Sequence, residues 1–385
     1  MLSEKQHRPD RRIGGNGPDA VPGAVNLSAM AGNRAPTIYD VARSAGVAAS
    51  TVSRALTRPG RVSRGTVARI ETAAAELGYR TNPLARALPT GRTSMLALIV
   101  TDVTDPATAE MLRGAQEAAG EAGYLTVVAD AAGRPEALDR ALSTVDGAVL
   151  AAPHTPDDDL SALAASRPVV LLDRMLSGLP CVVPDIPDGM RRVVEHLAAL
   201  GHDLVTYVAG PADAWADGMH RRALRQAGCE YGVQSRRIGP FPATVAGGLA
   251  AAGELLQRPT TAVIAYDDQI AIGLIRALTA RGILVPQEIS VTGFGNVPAA
   301  GIVTPGLTTV ASPLRLMGAV GVRHLLGLIA RPGPEAGSAG VAGSPGPVTL
   351  PVTLVTRGST AHRRRNRGVP MSGGGTYLPT FIPAT

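Results

Sequence analysis

The stretch TIYDVARSAGVAASTVSRAL, residues 37–56, encodes two short helices and the turn between them. Ile38, Val41, Ala42 and Ala45 recur at i, i+3, i+4 and i+7, one apolar stripe on a first helix. Gly46 supplies the positive φ that a sharp interhelical turn requires, and Val47 plugs the corner. Val52, Ala55 and Leu56 form a second stripe that folds the next helix onto the first. Ser50 and Arg54, four apart, then lie on the opposite face, free to enter a DNA major groove, with Ala49 as a further outward position. An ordinary helical hairpin of an unrelated domain would show the same two stripes.

Outward from this pair, Ser63 can cap a third helix whose Val67, Ile70, Ala74 and Leu77 recur at helical spacing before Gly78 ends it, completing a small headpiece over 36–81. Asn82-Pro83 signals another helix start, but Pro89 stops it within two turns, so residues 82–92 read as a linker or as a hinge helix too short to stand alone. Residues 1–35 are rich in Gly, Pro, Asn and Arg without apolar periodicity and are expected to be a disordered leader. The net charge of +6 hides its distribution. Residues 36–92 hold nine arginines against Asp40, Glu71 and Glu76, whereas residues 93–362 carry −6. A basic reader joined to an acidic body is the footprint expected when one end meets phosphate.

From residue 93 the pattern changes to short apolar runs alternating with amphipathic helices. Runs at 95–100, 125–129, 147–151, 168–172, 204–209, 261–265 and 288–292 suit parallel strands buried on both faces, and helices at 107–122, 188–200 and 268–281 intervene. So many βαβ units in residues 93–360 exceed one comfortable sheet and predict an α/β body of two doubly wound lobes. Residues 331–347 read as a flexible loop before a last strand at 348–355, and 361–385 as a disordered basic tail.

The headpiece resembles the lactose-repressor (LacI/GalR-type) family of bacterial regulators. Its T-x-x-D-V-A-x-x-A-G-V-S-x-x-T-V-S-R pattern is met by Thr37, Asp40, Val41, Ala42, Ala45, Gly46, Val47, Thr51, Val52, Ser53 and Arg54. The likeness continues through Arg61-Val-Ser63, Ala75–Tyr79 and Asn82–Leu88, and more weakly to Val355–Thr360. It implies a DNA-contacting set of Thr37, Tyr39, Ala49, Ser50, Thr51, Arg54, Arg61 and Ser63, with Asn82, Ala85, Arg86 and Leu88 in a hinge helix that forms on DNA. Leu88 matches the family's apolar wedge, which enters the minor groove and kinks the duplex. The resemblance further implies a near-palindromic operator and a body like the periplasmic sugar-binding proteins, with a small-molecule effector between the lobes. The family's tetramers use a C-terminal coiled coil, so the heptad-free tail favours a homodimer.

Ligands of parallel sheets bind beyond the carboxyl ends of the strands, where Asp102, Asp173, Asp267 and Asp268 fall. An aspartate there equally well caps the next helix. By resemblance Asp173 and Asp267 hydrogen-bond the effector, Asp267 replacing a common Asn. Trp215 is expected either to line the cleft or to pack, and Asn296 belongs to the effector set. The family's Gly-Phe-Asp-Asp is written here Gly293-Phe-Gly-Asn296, so one acceptor is lost at Gly295. Ala107-Thr108 stand where a Phe is common, and the family's ligand-holding arginine aligns with 214–222 in more than one register. These departures predict a small polar donor-bearing effector, an amine or polyol rather than a simple aldohexose.

Other classes find little support. There is no P-loop, GxSxG elbow, HExxH or informative Ser/His/Asp grouping, so no enzyme and no cofactor is expected. The run Asp157-Asp-Asp159 reads as a solvated loop or helix start rather than a metal site. Cys181 and Cys229 are too far apart in sequence for a CxxC or zinc pattern. No apolar stretch approaches the roughly 20 residues of a membrane span, and the N-terminus lacks a signal peptide's apolar segment. A soluble cytoplasmic regulator without a membrane partner is expected. The alternative, a two-lobed solute-binding protein without a DNA role, leaves the headpiece and the missing signal peptide unexplained.

Overall fold

The structure, a computed structural model, describes residues 36–57, 59–79, 92–130, 141–258, 260–330 and 346–364. The chain divides into two units, residues 1–85 and 86–385.

In the first unit three helices, α1 (Ile38–Ala45), α2 (Ala49–Thr57) and α3 (Arg64–Glu76), enclose a core of Val41, Ala42, Ala45, Val52, Ala55, Ile70 and Ala73. The backbone N–H and Oγ1 of Thr37 both donate to the Asp40 carboxylate (2.8 and 2.7 Å), which fixes the start of α1. At its end Gly46 adopts φ 65°, and the N–H groups of Gly46 and Val47 turn back onto the carbonyls of Arg43 and Ala42. Ser63 caps α3 by accepting from Thr66 N–H at 3.3 Å. The stripe of α3 differs from the expected one: Ala73 faces the core, while Leu77 lies beyond the last turn and is exposed. Small residues at the crossings let three short helices meet closely.

The second unit holds two six-stranded sheets. The first joins β1 (Met95–Val100), β2 (Leu125–Asp130), β3 (Gly147–Ala151), β4 (Val169–Leu172), β5 (Cys181–Pro184) and β11 (Val348–Leu350) in the order β11-β5-β4-β3-β1-β2, all parallel. The second joins β6 (Leu204–Val208), β7 (Gln234–Ile238), β8 (Ala262–Ala265), β9 (Ser290–Gly295), β10 (Thr308–Ala311) and β12 (Thr353–Val355) in the order β12-β10-β9-β8-β6-β7. Only the β10–β12 pair is antiparallel. Both orders reverse direction after their first strand, between β1 and β3 and between β6 and β8, which opens a crevice at the carboxyl ends of each sheet.

Helices α4 (Pro106–Glu121), α5 (Asp157–Ser166) and α11 (Leu314–Ala330) belong to the first lobe. Helices α6 (Ile186–Ala199), α7 (Trp215–Tyr231), α8 (Val245–Leu256) and α9 (Asp268–Thr279) surround the second sheet, with a short α10 (Ala299–Ile302) after β9. The chain therefore changes lobe three times: between β5 and α6, between β10 and α11, and between β11 and β12. The last crossing corrects the single strand expected at 348–355. Pro351 interrupts it, and the halves join different sheets. Three strands escaped the sequence pattern: β7 is a polar edge, Gln-Ser-Arg-Arg-Ile, while β5 and β10 are only four residues long. Among the described residues no helix is long and apolar enough to cross a membrane.

Candidate functional site

The headpiece presents the outer face of α2. Ser50 and Arg54 are exposed on it, Thr51 is half-buried beside them, and Arg54 makes no ion pair with any described residue. Arg61, in a short 3-10 turn at Pro59–Arg61, and Ser63 are exposed next along the chain. Tyr39 projects from α1, 68% exposed, a large amphipathic ring with no intramolecular reason to sit in water. Thr37 is half-buried and occupied with Asp40. Ala49 departs from its expected outward place: it is half-buried and packs against the headpiece core. Asn82, Ala85, Arg86 and Leu88 lie outside the described residues.

In the second unit a cavity of about 1060 Å³ lies between the lobes. Its walls are the strand ends and the loops that follow: Thr101 and Asp102 after β1, Ala152 to Pro156 after β3, Asp173 after β4, Pro211 and Asp213 after β6, Tyr266 and Asp267 after β8, and Phe294 with Gly295 at the end of β9. Among the described residues, two polar contacts join the lobes across it. His154 Nδ1 stands 3.0 Å from the Asp213 carboxylate, and the Gln269 side-chain amide donates to Asp105 at 3.4 Å.

The acidic groups are held in different ways. Asp102, at the exposed mouth, accepts from Thr104 N–H and Oγ1 (2.7 and 2.6 Å), and the Thr104 side chain first, then its amide, lower its pKa. Asp105 caps α4 through the N–H groups of Ala107 and Thr108. Asp267 caps α9 by accepting from Ile270 N–H at 2.8 Å, yet burial outweighs that bond and pushes the carboxyl up to about 7. Asp173 adopts φ 54°, and its carboxylate accepts no hydrogen bond from any described residue. Desolvation, followed by the charge of Asp105, pushes it too up to about 7. Asp268, which follows Asp267 in sequence, faces the other way: its carboxylate accepts from Val297 N–H (2.8 Å) and Thr309 Oγ1 (2.5 Å) and anchors the loop after β9.

The second lobe adds an aromatic cluster that the sequence reading missed. The His220 ring lies 4.5 Å from Phe294 and 5.4 Å from Tyr266, centroid to centroid, and all three line the cavity. Burial lowers the His220 pKa to about 3, so the imidazole is neutral. Beneath it Tyr207 Oη donates to Asp217 at 2.8 Å, and Asp217 also accepts from Gly210 N–H. The available signal was that His220 falls on the apolar stripe of α7, where a polar residue needs a reason.

Two expected effector residues stand outside the cavity wall. Trp215, the first residue of α7, packs against the second-lobe core, while Ala216 and His220 of the same helix line the cavity. Asn296 accepts from Arg357 Nη2 at 2.7 Å and ties the loop after β9 to the C-terminal segment. Gly295 has φ 125°, a conformation that L side chains rarely adopt. Among the described residues neither Lys nor Arg lines the cavity: Arg221 is drawn to Asp217 at 3.2 Å, and Arg222 is exposed. Among the described residues no group of three His, Cys, Asp or Glu side chains is placed to hold a metal ion.

Comparison with known proteins accords with both units. Residues 37–82 match the family described as bacterial regulatory proteins, lacI family, and residues 194–360 match the periplasmic binding protein-like domain. The HTH-type transcriptional regulator DegA of Bacillus subtilis (strain 168) is 33% identical over 297 residues, 74% of this chain and 88% of the relative. The ribose operon repressor of Escherichia coli (strain K12) is 30% identical over 311 residues, covering 77% and 94%. Among solved structures, the lac repressor dimer bound to operator and the anti-inducer ONPF superposes with a TM-score of 0.75 at 27% identity, covering 85% of this chain and all of that one. A headpiece with a basic exposed reading face, a two-lobed body crossed three times by the chain, and these relatives lead to one conclusion: the chain belongs to the lacI family of bacterial regulatory proteins.

Proposed function

We propose that this protein is a cytoplasmic, homodimeric transcriptional repressor that binds a near-palindromic operator and changes its affinity when a small polar molecule occupies the interlobe cavity. The observation that carries the reading is the pairing, in one chain, of an exposed reading helix with a ligand-sized cleft at the strand ends of two lobes. Ligands that touch both lobes favour one interlobe geometry, and the first lobe, which follows the headpiece in sequence, transmits that geometry to the spacing of the two half-site readers.

In this reading Arg54 and Ser50 address base edges, and Tyr39, Thr37, Thr51, Arg61 and Ser63 address the backbone. Residues 82–92 act as a hinge that orders on DNA, with Leu88 as a wedge between base pairs; this part rests on the sequence alone. The test is a footprint of the full chain on its own promoter region, repeated with Arg54→Ala. Loss of the protected site with residual non-specific binding supports direct base reading. Uniform weakening on all DNA assigns Arg54 to phosphate instead, and absence of any protected site overturns the proposal. Leu88→Ser should reduce operator affinity and DNA bending together; a mutant that bends its operator as fully as the parent removes the wedge.

A further inference from the structure

Among the described residues the cavity wall is acidic on both sides and holds no lysine or arginine to balance it. Asp102, Asp105, Asp159 and Asp173 contribute from the first lobe, Asp213 and Asp267 from the second, and among the described residues neither lysine nor arginine faces them. His154 is already paired with Asp213. Arg174, adjacent to Asp173 in sequence, is turned away: it donates to the carbonyls of Pro153 and Thr155 and to Asp157, holding the loop after β3. The Asp173 carboxylate thus reaches a ligand-sized space with no donor from any described residue, and Asp267 uses Oδ1 for its helix cap. Carboxylates withdrawn from bulk water without a partner are costly, a cost relieved either by taking up a proton or by a ligand that supplies charge and donors.

His220 is a second and independent sign. It is 3% exposed and lines the cavity, and its one hydrogen-bond partner among the described residues is Tyr207 Oη, 3.5 Å from Nδ1. Tyr207 gives its own proton to Asp217, so it can only accept from His220, which places the imidazole proton on Nδ1. Nε2 is then an acceptor with no donor among the described residues, on a ring that lines the cavity. An acceptor without a donor calls for a ligand N–H or O–H.

We propose that the ligand of the cleft is a small organic amine, bound as its ammonium ion between Asp173 of the first lobe and Asp267 of the second. The proposal rests on the reading of the cleft as the regulatory ligand site. An ammonium carries three donors and the compensating charge, whereas a neutral polyol supplies donors and leaves the wall's charge unbalanced. Anionic ligands are repelled from this wall. A bare metal ion does not fit, since the carboxylates are spread and no three converge. The organic body rests on the Tyr266, Phe294 and His220 rings, where the π faces also favour a cation. A cavity of about 1060 Å³ holds a molecule of amino-sugar or diamine size. By neutralising carboxylates on both lobes, the ammonium favours their approach.

The experiment is calorimetric titration of the full-length protein with matched pairs that differ in charge: glucosamine against glucose, and 1,3-, 1,4- and 1,5-diamines against the corresponding diols. The amine of at least one pair is expected to bind at least about tenfold more tightly than its neutral counterpart. Asp173→Asn and Asp267→Asn should each weaken that amine at least about tenfold. Both variants are chosen to fold: Asn tolerates the left-handed backbone at 173 and caps a helix at 267. A diol or glucose that binds as tightly as its amine overturns the proposal. So does amine affinity that survives both substitutions, or a whole series binding more weakly than about 10 mM. Repeating the operator gel shift with the bound compound separates the two claims. A neutral molecule that shifts operator affinity defeats the amine and keeps the regulator, while a bound amine without effect on operator binding keeps the amine and defeats the ligand-responsive reading.

Discussion

Asp173 carries a cost that its place in the cleft explains. Its carboxyl is pushed from 3.8 up to about 7 by burial and then by Asp105, so the folded chain holds a proton that the unfolded chain has already lost between those values. Its contribution to stability is therefore most favourable below about pH 4 and declines as the pH rises through 7, the reverse of a salt-bridged aspartate. Asp173→Asn removes a titrating group without changing the side-chain shape. The variant should match the parent at pH 4 and exceed it at pH 8 by on the order of 1–3 kcal/mol, the open cleft screening part of the full shift. Urea unfolding at the two pH values measures this, and equal differences at both would show that the carboxyl ionises freely. Asp267 should behave alike, since its shift has the same direction and the same leading cause. The sequence placed these two carboxylates at strand ends and left capping and ligand contact open. For Asp267 the structure shows the cap; for Asp173 it shows neither a cap nor a partner.

At the level of elements, α2 begins without help. Ala48 occupies the N-cap position: its carbonyl accepts from Thr51 and Val52, but its side chain offers nothing to the free N–H groups of the first turn. Ala48→Ser restores an oxygen to an exposed cap and should stabilise the headpiece by about 0.5–1 kcal/mol. Amide exchange in α2 reads it directly; unchanged protection would mean that water already satisfies the first turn equally well. The opposite sign is expected where α4 and α11 cross. A Cβ at Gly318 would lie 1.9 Å from the Met111 carbonyl oxygen, and one at Gly114 would lie 1.8 Å from that of Arg315, backbone atoms that cannot swing aside. Gly318→Ala should cost about 2–4 kcal/mol through forced separation of the helices, seen as a lower Tm of the body. A parental Tm would show that the crossing yields. This contact joins a helix near the start of the body to one reached only after five of the six strands of the second sheet, so no local pattern announces it.

For the molecule as a whole, the asymmetry of charge is the useful quantity. Residues 36–92 carry +6 and residues 93–362 carry −6, so attraction to DNA is concentrated in the reader and opposed by the body. Operator affinity should fall linearly in log-log form with salt, the slope counting phosphates neutralised by headpiece arginines at about 0.9 each. Arg61→Ala should reduce the slope by about 1 per contacting subunit without altering sequence preference. Fluorescence anisotropy over a salt series tests both statements, and a flat dependence would remove the electrostatic role of the headpiece.

The amino-acid sequence by itself determined the elements whose signals are local. The α1–α2 turn follows from one apolar stripe, one glycine and a second stripe. The parallel strands follow from Val- and Ile-rich runs buried on both faces, since every neighbour of such a strand demands the same chemistry. The tertiary structure alone decided what depends on residues far apart. It split 348–355 between two sheets, because Pro351 ends one ladder and each half finds its partner elsewhere. It decided the packing alternative for Trp215 and turned Asn296 away from the cavity that it was expected to line. It also gathered His220, Tyr266 and Phe294 into one cluster, although they come from three different elements. A helix turn is settled by side chains three or four positions apart, whereas a cleft is settled by the crossing of two sheets, and its walls are neighbours only after the chain has passed between lobes three times.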